Sequence, residues 1–439
     1  MNKYLFIFGL VGTVLFSACS SEELTIDNSV KLSPEEEKSL VVEAGKESEI
    51  PILFGAVGNQ RYATTRGSVE SDDAGSFSTP DGTYLGVFCL ATGKQNENQM
   101  INSILPATSA AINWSSHQYA NWLNNVPAVV VKYDHTLSPS PIAEYEDEDY
   151  SAVVFKNPDD LSQQKYYYYP FGNWYHYNFY AYYPRVATPT IEASNVYADY
   201  TITGKEDIIQ GVASRTDNTY ILENALPFSA KYFRLKNNGS LTTAFADLPT
   251  LDLQHKLTKI VVVVKPHDAT HAHALFERDI KLTNVQIDGV YKALRLCVAS
   301  KSSSVPNPTG QLTKQSNATS GTLSIWKEAD DTNPFSGGNI SIAQADNDDT
   351  PTTIGYAMLP PTNLLGTNEK YMINLAMQQD GGAPLPDFPV VLENTDGSSM
   401  TFLAGHSYRI TLDIYSPSEI YVTATLNNWV PETTTITVD

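Results

Sequence analysis

The sequence predicts an all-β protein built from β-sandwiches in tandem. Three observations predict it. Short runs rich in Val, Ile, Thr, Tyr and Phe recur along most of the chain, punctuated by Gly, Pro, Asn and Asp, which is the rhythm of strands and turns. Of the 439 residues, 42% are hydrophobic and 11% aromatic, with 26 Tyr, while 18% are charged. Polarity therefore rests on Thr, Ser, Asn and Tyr, residue types that suit strands and turns, as in secreted β proteins. The length suffices for about two or three domains, each with a core of its own.

The elements follow in chain order. Lys3 precedes an apolar run from Tyr4 to Phe16, then Ser17, Ala18 and Cys19. The run is too short for a membrane-spanning helix and has the layout of a secretory signal. Small residues followed at once by Cys resemble the bacterial lipoprotein box, with Phe16 where Leu is usual. That resemblance implies a lipoprotein signal peptide over 1–18 and acylation of Cys19, and two or three acyl chains anchor a protein firmly. Ser20-Ser21-Glu22-Glu23 resembles the acidic tag that directs Bacteroidetes lipoproteins to the outer surface. The alternative is an ordinary signal peptide cut near Ala18.

Residues 19–46 are polar and acidic and read as a tether. SEIPILFGAV, 48–57, reads as one apolar strand, buried on both faces, and the loop of 58–83 that follows is long, polar and Gly-rich and holds Arg61 and Arg66. Strand-like runs then recur from TYLGVFCLA to IYVTATL. WSSHQYANWLNNV is the one helical candidate in the first half. The polar stretch KNNGSLTTAFADLPT suggests a boundary, giving an N-terminal domain over 47–247 and a C-terminal domain over 248–439. The chain finishes on TTTITVD, 433–439, where Thr, Ile and Val alternate with period two, the pattern of a half-buried strand.

The chemistry carried by side chains is sparse. A net charge of −21 argues against a nucleic-acid partner, which requires a basic footprint. GxSxG, HExxH, phosphate-loop and dinucleotide fingerprints are all missing from the sequence, so no enzyme is expected. EYEDEDY, 144–150, lacks the Gly turn and ligand spacing of a calcium loop and reads as a solvated acidic loop, as does ADNDDT, 345–350. HDATHAH places His267, His271 and His273 at a spacing compatible with a metal, but its position after IVVVVK reads as a polar hairpin tip. No cofactor and no metal are expected. Alternating aromatics in KYYYYPFGNWYHYNFYAYY read as core and cross-strand packing. Cys89 and Cys297 sit in apolar strand-like runs and read as buried free thiols, although an exported protein can pair them.

Four stretches, in this order, resemble the fimbrillins of the Bacteroidetes, the fimbrillin-like superfamily of type V pili. They are ILF followed by TTRG, 64–67; YNFYAYYP, 177–184; LQHKLTKIVVVV, 253–264, with His255, Leu257 and Lys259; and FLAGHSYRITLDIY, 402–415, followed by ATLNNWVP, 424–431. The resemblance spans nearly the whole chain after the signal peptide. It implies two transthyretin-like β-sandwiches and an assembly route of lipoprotein export, cleavage after an Arg by an Arg-specific protease, and strand exchange between subunits. Arg66, in TTRG, matches the family position, with Arg61 as the alternative. The expected partners are other pilin subunits, in a homopolymer or a mixed fibre, and the outer membrane through the precursor's lipid. The expected location is the cell-surface fimbrium.

Under this reading, 433–439 is the donor strand, with Ile436 and Val438 entering pockets and Trp429 upstream as part of the donor segment. The terminal strand and the Arg-bearing loop favour a stalk subunit over a tip or an anchor. The rival reading is a monomeric surface lipoprotein that binds glycans on Trp114, Trp122 or Trp174. The rival reading of 433–439 is an edge strand of its own domain.

Overall fold

The computed structural model describes residues 47–58, 70–71, 77–78, 82–94, 113–115, 121–133, 150–170, 175–213, 228, 249–301, 308–327, 335–379, 382–394, 396–427 and 436–437. The expected signal peptide and tether, 1–46, lie outside them. The described chain is all-β apart from one α-helix and a short 3-10 turn.

The N-terminal half is a sheet that closes on itself. Its strands run in the order Phe54–Gly58, Thr250–His255, Ile209–Ala213, Tyr175–Tyr183, Leu85–Lys94, Asn121–Tyr133 and Tyr150–Asn157, and the last pairs back to the first. Asp160–Gln164 hangs outside the ring on Tyr150–Asn157. The sequence indicated β-sandwiches; here a ring forms because Phe54–Gly58 bridges the two strands that would otherwise be edges, and closure leaves no edge to pair wrongly.

The aromatic strand Tyr175–Tyr183 fills the ring as its sequence indicated. Tyr177, Phe179, Tyr180, Tyr182 and Tyr183 are all buried, and Phe179 packs edge-on to Tyr169 at 6.1 Å. Gly86 sits opposite Tyr182, and a Cβ there would stand 2.4 Å from that ring, so only Gly fits.

Two local expectations are corrected in this half. SEIPILFGAV is not one strand but two, Glu47–Pro51 and Phe54–Gly58. Pro51 has no N–H to continue a ladder, and the chain changes partner there, from Tyr168–Pro170 to the ring. Of the helical candidate, 114–126, Trp114 and Ser115 lie in a turn and 121–126 belong to the strand Asn121–Tyr133. A bulge hides its period of two: Asn125 has φ 51 and shifts the alternation between Leu123 and Val126, both buried.

The C-terminal half holds two sheets. One runs Thr352–Leu359, Thr258–Pro266, Ser407–Ser416, Glu419–Asn427 and Ile436–Thr437. The other runs Ser320–Ser324, Ile280–Tyr291, Met372–Gln379 and Phe388–Val391, with Ser336–Ser341 also on Ile280–Tyr291. The run Ile260 to Val264 is buried on both faces because its strand is central, paired antiparallel to Thr352–Leu359 and parallel to Ser407–Ser416. HDATHAH is not a hairpin tip. Asp268 caps the helix Ala269–Glu277 by accepting from the His271 N–H at 2.9 Å, and Ala272 and Leu275, one turn apart, face the core.

The halves are interlocked. Thr250–His255, assigned from sequence to the second domain, hydrogen-bonds into the N-terminal ring. Asn195–Thr201, from the first, pairs with Ala293–Ser300 in a further sheet with Thr190–Ile191 and Leu312–Lys314. The buried apolar residues form one continuous cluster through both halves. The polar stretch that suggested a boundary at 247/248 thus precedes a strand that still belongs to the first sheet.

Candidate functional site

The closing strand is held from both sides. Against Thr250–His255 it runs parallel, with Thr250 opposite Gly55, Leu251 opposite Ala56, Asp252 opposite Val57 and Leu253 opposite Gly58. Against Tyr150–Asn157 it runs antiparallel, with Phe54 opposite Val153 and Gly55 opposite Ala152. The Gly55 N–H donates to the Pro249 carbonyl at 3.0 Å, and just upstream the Ile52 N–H donates to the Tyr167 carbonyl at 2.8 Å. Ile52 and Ala56 are 3% and 4% exposed and share one core cluster with Leu251, Leu253, Val153 and Phe155. Without this strand, Thr250–His255 and Tyr150–Asn157 would each present a row of unpaired N–H and C=O groups flanking an apolar floor. Such a groove recognises an extended chain by backbone bonding and by small pockets.

The second element is the terminal strand. Ile436–Thr437 pairs antiparallel to the end of Glu419–Asn427, with Ile436 opposite Leu426 and Thr437 opposite Thr425. Among the described residues, that edge of Glu419–Asn427 has no further partner strand. Of the residues singled out from sequence, Ile436 lies in this strand. Cys19, Arg61, Arg66, Trp429 and Val438 lie outside the described residues. The stretch that carries the two arginines begins directly after the closing strand, and beyond it Glu70–Ser71 pairs with Phe77–Ser78.

The other sequence candidates resolve into structural roles where they are described. Trp114 is buried and its indole N–H donates to the Ala91 carbonyl at 2.8 Å; Trp122 is half-buried and donates to the Tyr168 carbonyl at 2.8 Å. Neither ring stands free as a sugar platform, and Trp174 lies outside the described residues. Cys89 and Cys297 are buried free thiols; burial pushes the Cys89 thiol well up and the Cys297 thiol to about 12. In ADNDDT, Asp346 meets His273 and Asp348 accepts from the Thr350 N–H at 3.0 Å, so the segment is a turn held by its own carboxylates. Among the described residues no group of three or more His, Cys, Asp and Glu is arranged to hold a metal.

Sequence reasoning missed two supports of this architecture and one desolvated charge beside them. Asn125 accepts from the Tyr182 hydroxyl at 2.7 Å and donates to the Val186 carbonyl at 2.9 Å, tying the bulge to the aromatic strand; the Asn-Asn pair before Val126 was its signal. His255 and Asp207 form a buried hydrogen-bonded pair at the end of Thr250–His255. Next to it, burial pushes the Lys256 ammonium down to about 8.

No family model and no curated protein sequence matches the chain. Among solved structures it is similar to a candidate cell adhesion protein from Bacteroides uniformis, at 14% identity and TM-score 0.42, over 87% of this chain and 99% of that one. It is similar also to the tip fimbrial protein Mfa3 from Porphyromonas gingivalis, solved with a C-terminal truncation, at 11% identity and TM-score 0.33, over 87% and 99%. A third is the fimbrial anchor protein Mfa2 from the same species, at 11% identity and TM-score 0.28, over 86% and 98%. These three neighbours are described as cell adhesion or fimbrial proteins, at 11% to 14% identity. Their TM-scores all lie below 0.5, and the functional reading rests on the ring geometry instead.

Proposed function

We propose that this chain is a structural fimbrial subunit of stalk type, serving adhesion and made as a surface lipoprotein precursor acylated on Cys19. Cleavage after Arg66, or Arg61, separates the closing strand from the rest of the chain, and a terminal strand from another subunit takes its place. The observation that carries this reading is the position of Phe54–Gly58. It closes the ring between two strands far from it in sequence, and it lies just N-terminal to both arginines. After the cut only non-covalent bonds hold it, so exchange for an equivalent strand leaves the ladder count unchanged. In this reading 47–247 and 248–439 act as the two halves of the subunit, as tandem transthyretin-like units.

The donor is 433–439 with the segment before it. Backbone bonds supply generic attraction, about 1 kcal/mol net each. Ile436 and Val438 add roughly 1.5–3 kcal/mol apiece when buried. Among the described residues the terminal strand rests on its own sheet through two paired positions, Thr425 with Thr437 and Leu426 with Ile436. Pro431, which has no N–H to donate, suits a bend between the two segments of the donor.

Deletion of 433–439 tests the reading. The variant keeps the precursor's thermal melt but forms no ladder of polymers on unheated gels after Arg-specific cleavage. Replacing Ile436 and Val438 by Asp gives nearly the same loss, because two buried unpaired carboxylates cost several kcal/mol. Normal polymerisation of the truncated chain, or unfolding of its monomer, would return 433–439 to its own domain as an ordinary edge strand.

A further inference from the structure

The assembly reading leaves HDATHAH unused. His267 ends the approach to the capped helix and His271 lies in its first turn; their ring centroids are 5.4 Å apart with planes at 79°. His267 stacks on Tyr415 at 3.8 Å and 19°, and His271 meets the same Tyr415 edge-on at 5.0 Å. Each histidine turns its Nδ1 to a carboxylate. For His271 this is Asp268 Oδ1 at 2.7 Å, and for His267 it is Asp413 Oδ2 at 3.6 Å. Among the described residues neither Nε2 takes part in a hydrogen bond or ion pair. His273 is committed elsewhere, with Nδ1 on Asp346 at 2.5 Å and Nε2 at 3.5 Å from Glu277.

We propose that His267 and His271 form a two-imidazole binding site for a divalent transition-metal ion of the zinc, nickel and copper class, with solvent completing its shell. The spacing fits. An Nε2–metal bond of about 2.1 Å puts the ion roughly 3.2 Å from each ring centre, so two imidazoles at a tetrahedral angle lie roughly 5 Å apart. The surroundings fit as well. Metal-bound histidines nearly always offer their second nitrogen to a carboxylate, which fixes the tautomer and strengthens the ligand. Here both rings face one, and the His267 Nδ1 is buried without a hydrogen-bond partner, next to Asp413. The rings are also set in advance: Tyr415 backs both, Ala272 and Leu275 pin the helix, and the His267 N–H donates to the Ile414 carbonyl at 3.0 Å. With two protein ligands instead of the three or four of catalytic and structural zinc sites, the ion is exchangeable.

Calorimetric titration of the full chain with zinc chloride, nickel chloride and copper chloride near neutral pH tests this. The expected result is one equivalent bound per chain, raising the melting temperature by mass action. His267→Gln and His271→Gln each weaken binding by roughly tenfold or more, and His273→Gln leaves it unchanged. Binding weakens as the solution is acidified, because protons compete with the ion for the two imidazole nitrogens. Copper-loaded protein shows two imidazole nitrogens by electron paramagnetic resonance. His271 is about one-third exposed, so His271→Gln keeps the fold and carries the test if His267→Gln does not. The proposal fails if no ion binds at millimolar concentration, or if both variants bind as the parent does.

Discussion

Replacing Ala56 by Asp perturbs the closing strand at its centre. Ala56 is 4% exposed and stands opposite Leu251, with the ring's apolar floor around it. A carboxyl group there either ionises unpaired or stays neutral with its polar atoms unsatisfied, and the smaller of those penalties is about 3 kcal/mol. At about 1.4 kcal/mol per decade, the population in which the strand has left the groove rises roughly a hundredfold. Hydrogen exchange read by mass spectrometry measures it. Amides of 54–58, of Thr250–His255 and of Tyr150–Asn157 should exchange about a hundredfold faster, while Ile260 to Val264 in the C-terminal sheet keep their protection. Thr423→Asp, on an exposed position of the last long strand, is the matched control and should change nothing. If Ala56→Asp instead speeds exchange everywhere, the closing strand is part of one cooperative unit and cannot be swapped alone; if it speeds nothing, the strand is not seated as described.

Three further outcomes follow from the same structure. Cys19→Ala should abolish incorporation of a palmitate analogue and hold the protein short of the surface, whereas full labelling of the variant would exclude Cys19 as the acylated residue. Cys89 and Cys297, buried with raised thiol pKa values, should resist an aromatic disulfide reagent in the folded chain at pH 8, a value set from the reference thiol range near 8.5, and react on unfolding. Rapid labelling of folded protein would contradict their burial. Lys256 has a folded pKa near 8 against roughly 10.4 unfolded, so the unfolded chain binds more protons between those values and stability rises with pH there. Lys256→Met should therefore stabilise the protein at pH 7 by at most about 3 kcal/mol, with the gain shrinking toward pH 10 in denaturant titrations; a gain that grows with pH would refute the assigned cause.

The strands were legible where the apolar run is continuous, as in LTKIVVVVK, or the alternation clean, as in SYRITLDIY, because burial of both faces or of one writes itself directly into the sequence. The start of Asn121–Tyr133, ahead of the strand-like run VPAVVVKY, was not, because the bulge at Asn125 adds a residue and breaks the period. The helix at HDATHAH was hidden by its shortness and by histidines, which are weak helix formers; Asp268 and the Ala272–Leu275 pair were the signals to weigh. The pairing that links Thr250–His255 to the first sheet was hidden for a different reason. Linker composition reports where the chain is polar, whereas the partner of Thr250–His255 is fixed by pairing with residues some two hundred positions earlier, which no local window contains. The closing strand was recognisable as apolar, but its place between a parallel and an antiparallel neighbour is a property of the ring alone.

The most direct test of strand exchange is N-terminal sequencing of the subunit sheared from cell-surface filaments. The account predicts a chain that begins at Gly67, after Arg66, or at Tyr62, after Arg61, with Phe54–Gly58 gone from the polymer. Filaments whose subunits begin upstream of Phe54 and keep the closing strand would contradict it.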